Sequence, residues 1–236
     1  MPENAVGMKR RMRVDIFYVP VDPGIEEESF RSLLAYVSEE KRRSVNSFRL
    51  DADKKLSLYS ELLVRVMACR ELGLRNDEIE FGRGKYGKPF LKGHPGFYFN
   101  ISHTRNAIAA AFSDHEVGID IERIRGEERE IAKRFFTFEE YEYIYKEETA
   151  QDRRFFEIWT KKEAYLKCIG KGLLQPLDSF SVLGQNPEYP CRGFERDGYM
   201  ISVCGAGAEE SGGITELSER ELERQVFVCH RKLHSP

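Results

Sequence analysis

The sequence has few of the cysteines that stabilise small metal-binding or disulfide-rich domains, and it lacks long apolar runs. Its 236 residues include five cysteines and one tryptophan. The cysteines form no CxxC pair and are odd in number, which argues against a zinc ribbon or a disulfide framework. No segment approaches the roughly 18 apolar residues that a membrane-spanning helix requires. We therefore expect a cytoplasmic protein that does not associate with membranes.

The sequence also lacks an excess of charge of either sign. Its 37 basic and 40 acidic residues leave a net charge of -3, whereas nucleic-acid-binding proteins usually carry a basic surface, so we expect no nucleic-acid partner. A 41% hydrophobic and 33% charged composition is typical of a globular protein. Residues 1–8 are expected to form a loose tail, and the short apolar run that follows is typical of a first strand.

Periodicity predicts a mixture of helices and strands. The clearest helix is Asp51–Leu72, whose apolar residues recur at three-and-four spacing until Gly73 ends it. Further strands are predicted at 14–20, 97–102, 107–112, 117–122, 179–183, 199–204 and 225–230, and further helices at 29–36, from 38 onward, at 127–146 and at 152–170.

A weak internal repeat suggests that the chain is duplicated. Residues 62–74 align with 161–173 at a period of about 99 residues, pairing two leucine-rich helices. Two amphipathic helices also resemble each other without common ancestry, so this reading has an alternative. If the duplication is real, two α+β halves, 9–113 and 114–236, pack together around a cleft that holds the ligand.

Two carboxylates stand out in the strand 117–122. Asp120 and Glu122 alternate with isoleucines, so both project from the same face. Adjacent carboxylates repel each other unless a cation lies between them, and oxygen ligands suit Mg²⁺. The alternative is a solvated edge strand whose charge Arg123 balances.

Three other short motifs have both a functional and an ordinary reading. Glu163 and Lys167 share one helix face, as catalytic groups or as a surface ion pair. Ser102, His103 and Thr104 end a strand and open a turn that could hold a phosphate or be a simple polar turn. Lys88 lies in a glycine-rich turn and could offer its charge to a phosphate, although the turn does not match a P-loop.

Taken together, the segments GKYGKPF (84–90), FNISHT (99–104), VGIDIE (117–122) and WTKKEAYLK (159–167) resemble the signature blocks of the surfactin-synthetase-type 4′-phosphopantetheinyl transferases, in the order and spacing of that family. RFFTFEEYEYI (134–144) and KGLLQPLDSFSV (171–182) extend the resemblance over most of 38–182. The last fifty residues carry only a strand pattern.

The resemblance implies an α+β fold of two similar halves related by pseudo-twofold symmetry, with the active site in the cleft between them. It implies transfer of the 4′-phosphopantetheine group of coenzyme A to a serine of an apo acyl or peptidyl carrier protein, leaving adenosine 3′,5′-bisphosphate. Because one chain supplies both halves, we expect a monomer.

The resemblance also assigns roles by position. Asp120, Glu122 and Glu163 match the Mg²⁺-binding acids, with Glu163 also the candidate general base, directly or through a water. Lys167 matches the lysine near the pyrophosphate. The residues that match coenzyme A contacts are Lys41, Ser57, Tyr86, Gly87, Lys88, Pro89, Ser102 and His103. A lysine frequent in the family three positions after Lys41 is here Ser44, and we expect Arg42, Arg43 or Arg49 to substitute for it.

Other functional classes remain open at this stage. A metal-dependent phosphohydrolase could use the same three acids on a nucleotide, but it would need no protein acceptor. A binding module without catalysis would have no need of the complete set of acids and Lys167. The short, trimeric holo-carrier synthases are about half as long as this chain.

The expected carrier surface follows the metal strand. Carrier proteins of this kind are acidic around the modified serine, so a local basic patch must attract them despite the negative net charge. The predicted patch consists of Arg123, Arg125, Lys133, Arg134, Phe135, Phe136 and Phe138, with at least one phenylalanine expected to pack into the core instead.

Overall fold

The computed structural model describes residues 13–126, 129–172, 175–184 and 188–231. The predicted tail, residues 1–8, lies outside these ranges. The elements up to residue 113 are β1 (Val14–Pro20), α1 (Glu27–Leu33), α2 (Glu39–Ser47), α3 (Asp51–Leu72), β2 (Phe81–Arg83), β3 (Pro89–Leu91), β4 (Tyr98–Thr104) and β5 (Ala107–Ser113). Ser38 caps α2 by accepting a hydrogen bond from the Lys41 amide, as its sequence indicates.

The remaining elements are β6 (Val117–Arg123), α4 (Arg129–Phe135), α5 (Phe138–Tyr145), α6 (Gln151–Ile169), β7 (Cys191–Arg196), β8 (Tyr199–Gly205), β9 (Ile214–Glu216) and α7 (Glu219–Arg231). The predicted helical block 127–146 is divided in two, because Thr137 forms a capping box with Glu140 and so starts α5 as a new helix.

The two halves have the same topology, which confirms the two-half α+β fold. The first sheet has the strand order β4-β5-β1-β9, and the second has the order β6-β8-β7. In each half one strand (β1 or β6) precedes a long helix (α3 or α6), and a hairpin (β4-β5 or β7-β8) follows it. The second strand of the hairpin then pairs antiparallel with the first strand of the half.

The halves do not repeat at the fixed period that the sequence alignment used. Helices α3 and α6 both end at a glycine in the left-handed region, Gly73 with φ 70° and Gly170 with φ 65°. These caps are 97 positions apart rather than 99, and the hairpins start 93 positions apart, at 98 and 191. Loops of different length separate equivalent elements, so no single offset aligns the whole repeat.

Two predicted strands are wrong. Residues 179–183 contain the end of a 3₁₀ turn, Leu177–Ser179, followed by loop, because their backbone groups bond to buried side chains rather than to a strand. Residues 225–230 belong to α7, whose Leu222 and Val226 are buried one turn apart. The strand-forming residues Val226 to Val228 obscured that helical spacing. The short strand β9 and all of β7 were not predicted.

The last elements of the chain return to the first half. Strand β9 runs parallel to β1, and α7 packs on α3. Lys55 joins these segments, because its buried ammonium donates to the Asp22 and Gly24 carbonyls and to Glu219. Residues 214–231 therefore complete the N-terminal sheet and helix layer.

A disulfide joins Cys191 of β7 to Cys204 of β8. The two residues face each other directly in the antiparallel ladder, with Cα atoms 4.1 Å apart. Residues opposed across a hairpin need no sequence motif, which is why the cysteine spacing did not indicate the pair. In the part of the chain that the structure describes, no helix is both long and apolar enough to cross a membrane.

Candidate active site

The site lies where the two sheets meet, and a single glycine allows the close approach on which it depends. Helix α6 lies directly on strand β6. A Cβ atom at Gly118 would stand 2.0 Å from the Ala164 carbonyl oxygen and 2.4 Å from the Cys168 nitrogen. Because only glycine leaves room for the helix backbone, Gly118 brings the α6 side chains next to the carboxylates of β6.

Three predicted residues from three elements meet in one hydrogen-bonded cluster. The Lys167 ammonium of α6 lies 2.6 Å from Asp120 Oδ1 of β6 and 3.0 Å from Ser102 Oγ of β4. The Ser102 hydroxyl donates to the same Asp120 oxygen at 2.8 Å. Asp120 is only 4% exposed, so this pairing with Lys167 takes place in a largely desolvated setting.

Glu122 and Glu163 lie close enough to this cluster to be influenced by its charges. Burial raises the pKa of Glu122, Asp120 adds to the rise, and the Thr104 hydroxyl opposes it. Burial likewise raises the pKa of Glu163, with Asp120 and Glu122 adding to it and Lys167 opposing it. Burial and the neighbouring Asp120 charge thus both disfavour the ionised forms of Glu122 and Glu163, although Arg125 and Lys167 partly oppose this at Glu122, and a bound cation would favour the ionised forms.

The three acids do not enclose a metal site as they stand. Among the described residues, no group of three or more Asp, Glu, His or Cys side chains is arranged to hold a metal ion. Asp120 Oδ2 is nevertheless buried and accepts no hydrogen bond from any described residue. A buried carboxylate oxygen without a donor is costly, and a divalent cation would satisfy it. The donor chemistry therefore fits Mg²⁺.

A groove of about 580 Å³ opens beside the cluster, and Lys41 and His103 both line it. Its other cationic lining residues are Arg65, Arg83 and Lys92, and Pro89 and Ser44 also border it. Three glutamates, Glu40, Glu61 and Glu80, line the groove as well, and Glu61 pairs with Arg65 while Glu80 pairs with Lys92. The cations of the lining outnumber the acids by one, so the groove keeps a small excess of positive charge for an anionic ligand.

The groove lining bears on which arginine replaces the family lysine that is absent at Ser44. Burial lowers the pKa of Lys41 most, the nearby Glu61 carboxylate opposes this, and the charges of Arg83 and Arg65 lower the pKa further. Arg42, Arg43 and Arg49 are not among the lining residues, and Arg43 is paired with Glu39. The added positive charge around Lys41 therefore comes from Arg83 and Arg65, which the sequence did not single out.

Several predicted coenzyme A contacts lie outside the groove lining, namely Ser57, Tyr86, Gly87, Lys88 and Ser102. Lys88 instead bridges the halves, because its ammonium bonds to Glu116 at 2.6 Å and to the carbonyls of Val117 and Cys168. Tyr86 is half exposed. Ser102 belongs to the cluster with Asp120, and the binding roles of these residues stay predictions.

His103 lies in a positively charged part of the groove. Limited access to water lowers the pKa of its imidazole, and the charges of Lys167 and Lys41 lower it further, while Asp53 opposes them. Neutral imidazole is therefore the dominant form near pH 7 before an anion binds.

A second, smaller cavity of about 90 Å³ lies beside Glu122. Arg125, Ile131, Phe155, Phe156 and Trp159 form most of its wall, so it is mainly apolar. The Phe155 and Trp159 rings are stacked, 6.2 Å apart with an interplanar angle of 13°. An apolar surface of this kind, adjacent to a carboxylate, suits an uncharged part of a ligand.

A fully buried ion pair supports the residues next to Glu163. The Lys162 ammonium and the Glu140 carboxylate are 2.8 Å apart, and both side chains have 0% exposure. Lys162 also donates to the Leu177 and Phe180 carbonyls, each at 2.6 Å, and Glu140 accepts from the Val182 amide at 2.8 Å. This network fastens α5 and the loop 177–182 to α6.

Asn100 was not singled out by sequence reasoning, and the Thr104 hydroxyl was expected near a phosphate rather than a carboxylate. Asn100 accepts a hydrogen bond from the Ile119 amide at 2.8 Å, and Thr104 donates to Glu122 at 3.3 Å. Asn100, Ser102 and Thr104 alternate along β4, so their common face was readable from the sequence. Their partner strand was not.

Comparison with known proteins identifies two matching family models. The model of the 4′-phosphopantetheinyl transferase superfamily matches residues 116–213, and that of the 4′-phosphopantetheinyl transferase N-terminal domain matches residues 25–115.

Curated relatives match over nearly their whole length. The chain is 35% identical to the 4′-phosphopantetheinyl transferase Sfp of Bacillus subtilis (strain 168) over 221 residues, covering 88% of this chain and 99% of that protein. It is 36% identical to the 4′-phosphopantetheinyl transferase gsp of Aneurinibacillus migulanus over 225 residues, covering 89% and 93%. The solved Thermotoga maritima holo-[acyl-carrier-protein] synthase is 16% identical, with a TM-score of 0.33 over 38% of this chain and 61% of that one, which is too low to support an argument.

Proposed function

The chain belongs to the 4′-phosphopantetheinyl transferase family, and on that basis we propose that it transfers the 4′-phosphopantetheine group of coenzyme A to a serine of an apo acyl or peptidyl carrier protein. The other product is adenosine 3′,5′-bisphosphate. The observation that supports this most directly is the cluster of Lys167, Asp120 and Ser102 beside a basic groove.

We propose that Asp120, Glu122 and Glu163 together hold Mg²⁺. The uncompensated Asp120 Oδ2 and the raised pKa values of Glu122 and Glu163 support this assignment. When bound, Mg²⁺ would neutralise charge on the pyrophosphate of coenzyme A.

The chain's own residues account for the proton and charge movements of the reaction. Glu163 is the proposed general base that takes the proton from the carrier serine as its oxygen attacks the β-phosphorus. The bond from this phosphorus to the bridging pyrophosphate oxygen breaks, and the negative charge passes to the 5′-phosphate of the leaving nucleotide. Lys167 is the proposed group that stabilises that charge, and its position beside Asp120 and Ser102 in the cluster supports this role.

The groove is the proposed seat of the nucleotide. Lys41, Arg83 and His103 offer cationic or protonatable groups to the 3′-phosphate, and Pro89 borders the groove on the predicted adenine loop. The smaller cavity beside Glu122 offers an apolar surface to the pantetheine arm.

The test is to incubate the protein with coenzyme A, Mg²⁺ and a panel of apo carrier proteins, and to measure the carriers by mass spectrometry. We expect a gain of one phosphopantetheine group on at least one carrier, and no gain on the same carrier with its acceptor serine changed to alanine. Asp120→Ala and Glu122→Ala should abolish the gain while circular dichroism stays unchanged. Release of adenosine 3′,5′-bisphosphate without a carrier would instead favour a phosphohydrolase.

The proposed carrier surface is formed by Lys133, Arg134, Phe135 and Phe138, called here the basic aromatic surface. Phe138 is 77% exposed and Phe135 is 36% exposed, and the Arg134 guanidinium lies over the Phe135 ring. Phe136 is buried and packs against Phe155, as expected for at least one of these phenylalanines.

Charge reversal tests this surface. The double variant Lys133→Glu/Arg134→Glu should raise the KM for an acidic carrier and weaken its salt dependence, because an exposed attractive charge acts mainly on association. The KM for coenzyme A should not change. A matched control is Arg31→Glu/Lys54→Glu, a double reversal in the other half. An equal rise in carrier KM in both double variants would assign the effect to net charge rather than to this surface.

We further propose that the protein acts as a monomer in the cytoplasm, where thiols are kept reduced and the Cys191–Cys204 disulfide would form only under oxidation. Both halves of the cleft come from one chain, so no second copy is needed to complete the site. Light scattering should give the 27.4 kDa mass of the single chain at concentrations where transfer is measured. A mass two or three times larger, with activity lost on dilution, would contradict this.

A further inference from the structure

The two halves meet along an unusual seam. Strand β4 is an edge strand of the first sheet and β6 an edge strand of the second, and they lie side by side. In the described part of the chain, no backbone ladder joins them. Edge strands carry unpaired N–H and C=O groups, so something else must satisfy part of this seam.

Polar side chains of β4 replace the missing ladder. Asn100 accepts from the Ile119 amide at 2.8 Å, Ser102 donates to Asp120 at 2.8 Å, and Thr104 donates to Glu122 at 3.3 Å. The last two pairs are both 18 residues apart in sequence, so the strands run in the same direction past each other. We call Asn100, Ser102 and Thr104 the polar ladder. Each of these alternate residues of β4 forms a hydrogen bond with β6, and together they join the two halves.

The three residues of the polar ladder have different contacts and therefore different roles. Asn100 is 94% buried and holds a backbone amide, so it fixes the height of β6 relative to β4. Ser102 already belongs to the cluster with Lys167. Thr104 contacts one oxygen of Glu122, an acid that is half-buried and repelled by Asp120.

We propose that Thr104 is a positioning residue that holds the Glu122 carboxylate in place for cation binding. With one carboxylate oxygen tied to a hydroxyl from the opposite half, Glu122 has fewer rotamers to lose when a divalent cation binds, and its repulsion from Asp120 is opposed. The hydrogen bond also makes the geometry of the acids depend on how the halves are docked. This inference rests on the proposed function and names a residue that the function requires.

The experiment compares three variants. Thr104→Val removes the hydroxyl and keeps the side-chain shape, and Thr104→Ser keeps the hydroxyl. Thr215→Val makes the same chemical change on the exposed strand β9, at the opposite edge of the same sheet, and serves as the matched control. Mn²⁺ binding is measured by electron paramagnetic resonance on each protein with coenzyme A and no carrier. The thermal midpoint and the KM and kcat values are measured in parallel.

We expect Thr104→Val to weaken Mn²⁺ binding about tenfold, the effect of losing one hydrogen bond to a charged group. Thr104→Ser should stay within about twofold of the original protein, and Thr215→Val should match it. For Thr104→Val, kcat should fall at low Mg²⁺ and recover at high Mg²⁺, with the KM for coenzyme A and the thermal midpoint little changed.

Normal Mn²⁺ binding by Thr104→Val would overturn the proposal, as would an equal loss in Thr215→Val or a loss that Thr104→Ser does not rescue. A lowered thermal midpoint that accounts for the loss would assign Thr104 a structural role only, which also overturns it. The proposed function fails separately, if the unaltered protein modifies no carrier.

Discussion

The buried ion pair between Lys162 and Glu140 allows a sharp prediction about stability. Replacing Lys162 with methionine keeps most of the side-chain volume but leaves the Glu140 carboxylate in a site with 0% exposure and without its cation. It also removes the donor of the Leu177 and Phe180 carbonyls. Breaking one side of a buried pair costs about 3–5 kcal/mol, because the remaining charge is uncompensated.

The neighbouring residue provides a matched control for this change. Lys161 lies on the same helix and pairs with Glu157 at 2.7 Å, but it is partly exposed to solvent. Lys161→Met should cost about 1 kcal/mol or less, because Glu157 keeps a hydrogen bond from Tyr143 and the charge of Arg153. For a chain of this size each kcal/mol lowers the thermal midpoint by about 2–4 °C, so Lys162→Met should lower it by roughly 10 °C and Lys161→Met by a few degrees at most.

Urea unfolding of both variants measures the two free energies directly. Adding Glu140→Gln to Lys162→Met removes the stranded charge, so the double variant should lose less than the sum of the two single losses. The reasoning is refuted if Lys162→Met unfolds within about 1 kcal/mol of the original protein, or no more easily than Lys161→Met.

Three further outcomes are expected. Gly118→Ala should lower the transfer rate at least about 100-fold, because α6 must move away from β6; a normal rate in a folded variant would show that the close approach is unnecessary. Burial and two lysines lower the pKa of His103, and we expect the negative charge of a bound phosphate to raise it and so favour uptake of a proton. Lowering the pH from 8 to 6 should then strengthen coenzyme A binding, measured by calorimetry, more in the original protein than in His103→Gln; identical pH profiles would contradict this. Reducing the disulfide between Cys191 and Cys204, which are 13 residues apart, should lower the free energy of unfolding in urea by about 3 kcal/mol, and the reductant should have no such effect on Cys191→Ala.

The sequence by itself determined the local structure wherever burial follows a simple period. Helix α3 was predicted with its bounds, because its apolar spacing and its glycine cap act over a few residues. The bounds of β4, β5 and β6 were also predicted within two residues, β5 from a continuous apolar run. The family was also recognisable from short segments, because they carry chemistry in a fixed order.

Local pattern failed where a segment depends on distant partners. Residues 179–183 have strand-forming side chains, but the Phe180 carbonyl and the Val182 amide bond to the buried side chains of Lys162 and Glu140 instead of to a strand. Residues 225–230 read as a strand because Val226 to Val228 favour one, whereas packing on α3 selects the helix.

Only the tertiary structure decided how the functional residues meet. The sequence put Asp120 and Glu122 on one face of β6, and Glu163 and Lys167 on one face of α6. It did not indicate that Gly118 brings these faces together, that Arg83 supplies charge near Lys41, or that Thr104 contacts Glu122. These relations join residues that are far apart in the sequence, and in the case of Thr104 and Glu122 residues of opposite halves. Their free energy comes from contacts that exist only once the elements are packed, so no local signal in the chain records them.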